Sequence, residues 1–215
     1  IGIPANGGET RTTFSNMMIR FTVPIDTLTF RNNKLMWKKN GSPISVEPTI
    51  TRMDAEAKLF KVSGLENLMT DNGTYELTVD LVNIKSRTGV FGYQNQSANW
   101  RFDTQAPSIR NVTLINAGGY DFQHNTSAEV VFSEPVTGVA LAMLQLWRDT
   151  QQQPVSQLNI VQLNDTTYRV NDFRLLTYYE GKYSLKFDLS GISDIAGNNG
   201  VGIFEKKWTV NRTIP

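Results

Sequence analysis

The chain of 215 residues contains no cysteine, which excludes disulfides, thiolate nucleophiles and Cys-ligated zinc. Its single histidine, His124, lies in a stretch rich in glycine and asparagine, where a hydrogen-bonding loop residue is expected rather than a catalytic base. Neither a G-x-S-x-G nucleophile elbow nor an H-E-x-x-H zinc pair occurs. The sequence therefore predicts no catalytic residues and no enzymatic activity.

The sequence also lacks an excess of positive or negative charge. The chain has 21 Lys and Arg residues against 20 Asp and Glu residues, and no block of five like charges. This balance gives no basic patch for nucleic acid or anionic membrane. No apolar run approaches the roughly 18 residues of a membrane span. The chain opens at Ile1 without a signal peptide, so we expect a piece of a longer protein that neither binds nucleic acid nor inserts into a membrane.

The hydrophobic residues that are present follow a strand-like period of two. Apolar positions alternate with polar ones from Met17 to Val23, from Tyr75 to Leu81 and from Tyr183 to Leu189. Clusters of Gly, Asn, Asp and Pro separate these runs. Only 65–70 and 139–146 have the pattern of a helical turn. The sequence predicts an all-β chain.

The two halves of the chain repeat one another. NGTYELTVDLVNIKSRTG (72–89) aligns with EGKYSLKFDLSGISDIAG (180–197) at an offset of 108 residues, which also matches Trp100 with Trp208. Earlier in each half the offset is 110 or 111, and an offset of 110 places Trp37 over Trp147. A repeat of this length is typical of one β-sandwich domain.

The repeat also predicts the domain boundary. WRFDTQAP (100–107) closes the first copy as WTVNRTIP (208–215) closes the second. Proline is excluded from the middle of a sheet, so Pro107 should end the last strand of the first copy. We expect two domains, residues 1–104 and 105–215, with part of the opening strand missing from the first.

The second copy carries three recognisable stretches: F-S-E-P-V (132–136), a run from Tyr183 to Asn198 that ends in D-I-A-G-N, and the closing W-T-V-N-R-T-I-P. They resemble bacterial Ig-like domains, which occur in tandem in large surface and secreted proteins. The first copy departs from this pattern, with S-R-T-G-V (86–90) in place of D-I-A-G-N. The resemblance implies two tandem Ig-like antiparallel β-sandwiches with an adhesive or spacer role, located outside a bacterial cell or on its surface as part of a longer exported chain.

Aromatic residues give two kinds of candidate. Trp37, Trp100, Trp147 and Trp208 fall into two pairs at matching repeat positions, so we interpret them as core residues of each sandwich. Aromatics without a counterpart in the other copy are better candidates for ligand binding. These are Tyr178 and Tyr179, which face Thr70 and Asp71 in the alignment, and Phe91 and Tyr93.

No cofactor is predicted, and calcium is the one ion that the sequence leaves open. Calcium takes six to eight oxygen ligands, and the candidate ligands are Asp103 near the junction and Asp194 with Asn198 in D-I-A-G-N. Acids are sparse around Pro107 and no D-x-D-x-D-G loop occurs. In the alignment Gly197 matches Gly89, whereas the polar groups of D-I-A-G-N have no counterpart. We therefore expect a turn that both copies share without sharing its polar groups.

Three classes of function follow. The leading one is a non-catalytic structural or adhesive module, whose partners are other domains of the same polypeptide and a host or cell-surface protein or glycan. The alternative is a carbohydrate-binding accessory unit of a secreted multidomain enzyme, which predicts an exposed aromatic platform in one copy. A catalytic domain would instead require two acids converging in a pocket.

Overall fold

A computed structural model of the protein describes residues 6–116 and 125–211, so the prediction for His124 lies outside the described residues. The chain divides into two compact units, Ile1–Gln105 (unit 1) and Ala106–Pro215 (unit 2). The helical elements described are short 3-10 turns, and no helix among them is long and apolar enough to span a membrane. They are Asn32–Lys34, Leu81–Asn83, Leu141–Met143, Phe173–Leu175 and Leu189–Gly191.

Unit 1 consists of two sheets. Its strands are β1 (Gly8–Thr10), β2 (Asn16–Arg20), β3 (Leu35–Lys39), β4 (Ser42–Ile44), β5 (Thr49–Arg52), β6 (Leu59–Ser63), β7 (Gly73–Val79) and β8 (Gln96–Phe102). One sheet has the order β1-β8-β7-β3-β4 and the other the order β2-β6-β5. All neighbours are antiparallel except β1 and β8, which run parallel.

Unit 2 has the same plan. Its strands are β9 (Ile109–Asn116), β10 (Asn125–Phe132), β11 (Val136–Thr137), β12 (Leu144–Arg148), β13 (Gln151–Gln153), β14 (Asn159–Asn164), β15 (Thr167–Asn171), β16 (Gly181–Asp188), β17 (Ser193–Asp194) and β18 (Ile203–Val210). The two main sheets have the orders β14-β15-β10-β9 and β13-β12-β16-β18, and β11 pairs with β17. All of these pairs are antiparallel.

Each unit closes its two sheets on a core of its own. In unit 1, Met17 and Val62 from one sheet meet Tyr75 and Leu77 from the other within a single buried cluster. Unit 2 has an equivalent cluster with residues from β10, β12, β15 and β16. Burial alternates along β7 and β16, as the period of two predicts. The predicted all-β fold of two tandem Ig-like antiparallel sandwiches is confirmed.

The units differ at the edge of one sheet. The order β3-β7-β8 in unit 1 corresponds to β12-β16-β18 in unit 2, but unit 1 adds β1 along the outer edge of β8. Unit 2 instead adds β9 to its other sheet, beside β10. Within residues 6–116 and 125–211, no strand pairs with the outer edge of β18.

The predicted equivalence of Trp37 and Trp147 is wrong by one residue. Trp37 lies opposite Leu77 in β7, and Leu146 lies opposite Leu185 in β16. Since Leu77 and Leu185 match at the 108-residue offset, Leu146 is the true counterpart of Trp37.

A shift of one residue moves a strand side chain to the opposite face of the sheet. Trp37 points into the core of unit 1 and is 4% exposed. Trp147 follows the buried Leu146, is half-buried and lies on the outer face of its sheet, where unit 1 has Lys38. The core interpretation therefore holds for Trp37 and fails for Trp147.

The second tryptophan pair is matched correctly. Trp100 stacks on Tyr75 and Trp208 stacks on Tyr183, with ring centroids 6.1 and 5.4 Å apart. Trp100 is fully buried, since Phe14 packs on it at 5.5 Å and β1 runs alongside its strand. Trp208 lies on β18 at the sheet edge and is half-buried against the core.

Replacing Trp100 by alanine should lower the free energy of unfolding of unit 1 by about 3–5 kcal/mol, because it leaves a cavity in the core. Trp147→Ala should cost about 1 kcal/mol or less, since that indole lies outside the core. Urea denaturation of the full chain, fitted with a separate transition for each unit, measures both values. Equal costs for the two substitutions would contradict the assigned face of Trp147.

Candidate functional site

The D-I-A-G-N stretch of unit 2 is a tight turn held by its own polar groups. Asp194 and Asn198 are 4% and 7% exposed. The Asp194 carboxylate accepts hydrogen bonds from the Asn198 backbone N–H at 2.7 Å and from its side-chain amide at 2.8 Å. Gly197 supplies the positive φ of +90° that the turn requires. Both oxygens of Asp194 are therefore engaged in shaping the backbone.

Unit 1 builds the same turn with a different residue. The Ser86 hydroxyl accepts a hydrogen bond from the Val90 backbone N–H at 3.0 Å, and the Ser86 N–H donates to the Val90 carbonyl at 2.8 Å. Gly89 has a φ of +86°. Ser86 thus performs the capping role of Asp194 toward the backbone, whereas Val90 has no side-chain amide like that of Asn198. The expectation that the copies do not share the polar groups of the turn holds for Asn198 and fails for the capping oxygen. Serine and aspartate both cap turns through a side-chain oxygen, which is the signal that the comparison of residue types missed.

Asp103, the third candidate calcium ligand, ties the end of unit 1 to the junction. Its carboxylate accepts hydrogen bonds from the Asn72 side-chain amide and from the Gln105 backbone N–H, both at 2.9 Å, and pairs with the Arg101 guanidinium at 2.6 Å. The Asn72 side-chain oxygen accepts in turn from the Thr104 backbone N–H at 3.0 Å. The first residues after β8 are therefore fixed to unit 1 by side chains.

These contacts leave little for a metal. Asp103 and Asp194 belong to different units, and both carboxylates accept hydrogen bonds from donor groups of the protein. The described residues contain no group of three or more His, Cys, Asp or Glu side chains arranged to hold an ion. The calcium hypothesis thus gains no support from the geometry.

The four candidate aromatics lie two in each unit. In unit 2, the Tyr178 and Tyr179 rings are T-shaped at 5.6 Å, and the Arg148 guanidinium lies 5.2 Å from the Tyr179 ring. In unit 1, Phe91 lies under the Lys85 ammonium at 4.9 Å, and Tyr93 is 92% exposed. All four side chains are exposed.

A groove that sequence reasoning missed lies on the outer face of β12, β16 and β18. It has a volume of about 740 Å³. The residues that line it include Trp147, Asp149, Ser184, Lys186, Glu205 and Lys207. The Lys186 ammonium lies 5.4 Å from the Trp147 ring centroid, a distance typical of a cation–π contact.

Glu205 occupies the charged side of this groove. A hydrogen bond from the Ser184 hydroxyl, together with one from Lys207, lowers the pKa of Glu205 below its usual value. The carboxylate therefore stays ionised at neutral pH. Glycoside hydrolysis needs a protonated acid as proton donor, a role that Glu205 does not fit.

No protein-family model and no curated protein matches the sequence. Among solved structures, three consecutive Ig domains of titin match with 12% identity and a TM-score of 0.34, over 97% of this chain and 64% of that one. A two-domain Ig tandem of titin matches with 11% identity and a TM-score of 0.29, over 96% and 93%. The N-terminal part of the bacterial S-layer protein SbsC matches with 10% identity and a TM-score of 0.34, over 95% and 43%. These likenesses concern the fold alone.

Asp194→Ala should destabilise unit 2 by about 1–3 kcal/mol, because it leaves the buried N–H donors of the turn without partners. Asp194→Ser should cost less, since unit 1 closes the same turn with a serine hydroxyl. Urea denaturation in buffer with and without EDTA measures both effects. A fall in the wild-type midpoint on adding EDTA would show a structural ion and contradict this account.

Asn72→Ala should expose the start of the linker. The Thr104 N–H loses its acceptor, so hydrogen exchange at this amide should accelerate about five- to tenfold, the range expected for one hydrogen bond. Exchange of the intact chain, followed by NMR, measures the effect. Asn111→Ala, an exposed asparagine in β9, is the control and should leave Thr104 unchanged. Rapid exchange of the Thr104 amide in the wild type would contradict its hydrogen bond to the Asn72 side chain.

Proposed function

We propose that this chain is a non-catalytic structural or adhesive module of a larger bacterial surface or secreted protein. The observation that carries the proposal is the tie at the end of unit 1, where Asp103 and Asn72 bind the backbone of Gln105 and Thr104. These contacts hold the chain as part of the folded unit 1 up to Gln105. This suits modules whose role is to space or present other parts of a polypeptide.

The use of acidic residues supports the same role. Asp194 holds a turn in unit 2 and Asp103 holds the linker in unit 1. Glu205, in the groove on the outer face of β12, β16 and β18, has a lowered pKa and pairs with Lys207 at 2.9 Å. Acids that serve as hydrogen-bond acceptors and ion-pair partners fit a scaffold better than an acid–base mechanism.

The bacterial and extracellular setting rests on the resemblance of F-S-E-P-V (132–136) and D-I-A-G-N (194–198) to tandem bacterial Ig-like domains. The absence of cysteine is compatible with this setting and equally with a reducing cytoplasm, since each unit builds its buried core without a disulfide. Other domains of the same polypeptide are the first partners that this role implies.

The test is the location of the full-length protein in its source cells. Antibodies raised against the 215-residue chain should label intact, unpermeabilised cells, or detect the protein in the medium. A cytoplasmic protein serves as the control for cell lysis. Labelling that appears only after permeabilisation would contradict the proposed setting.

A further inference from the structure

We propose that the groove on the outer face of β12, β16 and β18 in unit 2 binds an acidic glycan. A spacer needs no such ligand, so this inference goes beyond the proposed function and its failure would leave that function standing. It is carried by the cross-strand arrangement of Trp147, Ser184 and Lys207, with the ammonium groups around them.

Strand register places these side chains in rows across the sheet. Trp147, Ser184 and Lys207 form one row, since Ser184 lies opposite Trp147 on one side and opposite Lys207 on the other. The next row contains Lys186 and Glu205, which are directly opposite each other. Side chains in such rows are close enough together to contact a single ligand.

The groove exists because the middle residue of the first row is small. Ser184 lies between Trp147 on one neighbouring strand and Lys207 on the other. Because its side chain is short, a depression remains between these two larger side chains. The Trp147 indole contacts two neighbouring side chains. Its Nε1–H donates to the Gln145 side-chain oxygen at 3.3 Å, and the Lys186 ammonium lies 5.4 Å from its ring centroid.

An indole face beside polar hydrogen-bonding groups matches the chemistry of a pyranose ring. The apolar C–H face of a sugar packs on an aromatic ring, and its hydroxyls meet donors and acceptors such as Ser184, Glu205 and Thr209. An aromatic ring next to polar side chains of both donor and acceptor type favours a sugar over a purely apolar ligand.

The charge of the groove selects an acidic sugar. Lys182, Lys186 and Lys207 all line it. Glu205 pairs with Lys207 at 2.9 Å and with Lys186 at 3.9 Å, while the Lys182 ammonium has no carboxylate partner among the described residues. Glu205 and Asp149 both line the groove, so two carboxylates face three ammonium groups and a net charge of +1 remains. The face therefore favours a ligand that carries carboxylate or sulfate.

Unit 1 provides an internal comparison. At the positions of Trp147 and Ser184 it has Lys38 and Glu76, whose side chains form an ion pair at 3.4 Å. Unit 1 therefore has no aromatic side chain at the first position and a longer side chain than serine at the second. Trp147→Lys combined with Ser184→Glu therefore grafts the unit 1 surface onto unit 2, with residues that this fold already accepts at these positions.

The experiment is affinity electrophoresis of the full 215-residue chain in native gels that contain polygalacturonate, dextran sulfate, neutral dextran or polyglutamate. Polygalacturonate or dextran sulfate should retard the wild type, while dextran and polyglutamate should retard it at least about tenfold less. Trp147→Ala should weaken the retardation about tenfold, because it removes the stacking wall. The Trp147→Lys, Ser184→Glu double variant should abolish it.

Leu28→Ala is the control, since it removes an exposed apolar side chain from unit 1, and it should bind like the wild type. Urea denaturation of each variant confirms that unit 2 is folded. Failure of both acidic glycans to retard the wild type overturns the proposal. Unchanged retardation of folded Trp147→Ala also overturns the proposal, because binding would then depend on the lysine charges alone and not on the indole. Equal binding of polyglutamate would assign the face to an acidic protein, and equal binding of dextran to a neutral glycan; either result overturns it.

Discussion

Side chains of a β-strand alternate between two faces, and this alternation decides which residues of each unit form the core and which meet solvent. In β16 it buries Tyr183 and Leu185 and leaves Ser184 and Lys186 on the outer face. The same alternation places Trp147 beside Ser184 across the strand pair. The core, the stability of unit 2 and its groove thus depend on one register between β12 and β16.

The duplication gave each copy the same frame and allowed the surfaces to diverge. The buried rows of β7 and β16 are closely alike, because any change of volume in a packed core is costly. The outer rows carry no such penalty. There, the Lys38–Glu76 ion pair of unit 1 is replaced by an aromatic and a serine in unit 2. A ligand site on the outer face of one copy therefore lowers the stability of the shared fold only slightly.

Much of the fold followed from the sequence, because it depends on local patterns. The period-two runs around Tyr75 and Tyr183 predicted β7 and β16, and Gly89 and Gly197 marked the turns that both units build. Turn chemistry was predicted less well, since Ser86 and Asp194 differ in type and perform the same capping role. What counts there is a side-chain oxygen at the right position.

The register of β12 was beyond sequence matching. The offset between the copies falls from 111 residues at Phe21 and Phe132 to 109 at the start of β3 and β12. Matching Trp37 with Trp147 assumed 110, and one residue is enough to reverse a face. The groove was missed for a related reason, because its lining comes from three strands brought together only by long-range pairing.

The central claim is that Trp147 lies on the outer face of unit 2 while Trp37 lies inside unit 1. Hydroxyl-radical footprinting of the unmodified chain, read out residue by residue by mass spectrometry, tests this claim without any substitution. The account predicts oxidation of Trp147 and Trp208, with Trp37 and Trp100 protected. Protection of Trp147 to the level of Trp37 would contradict the register on which the groove depends.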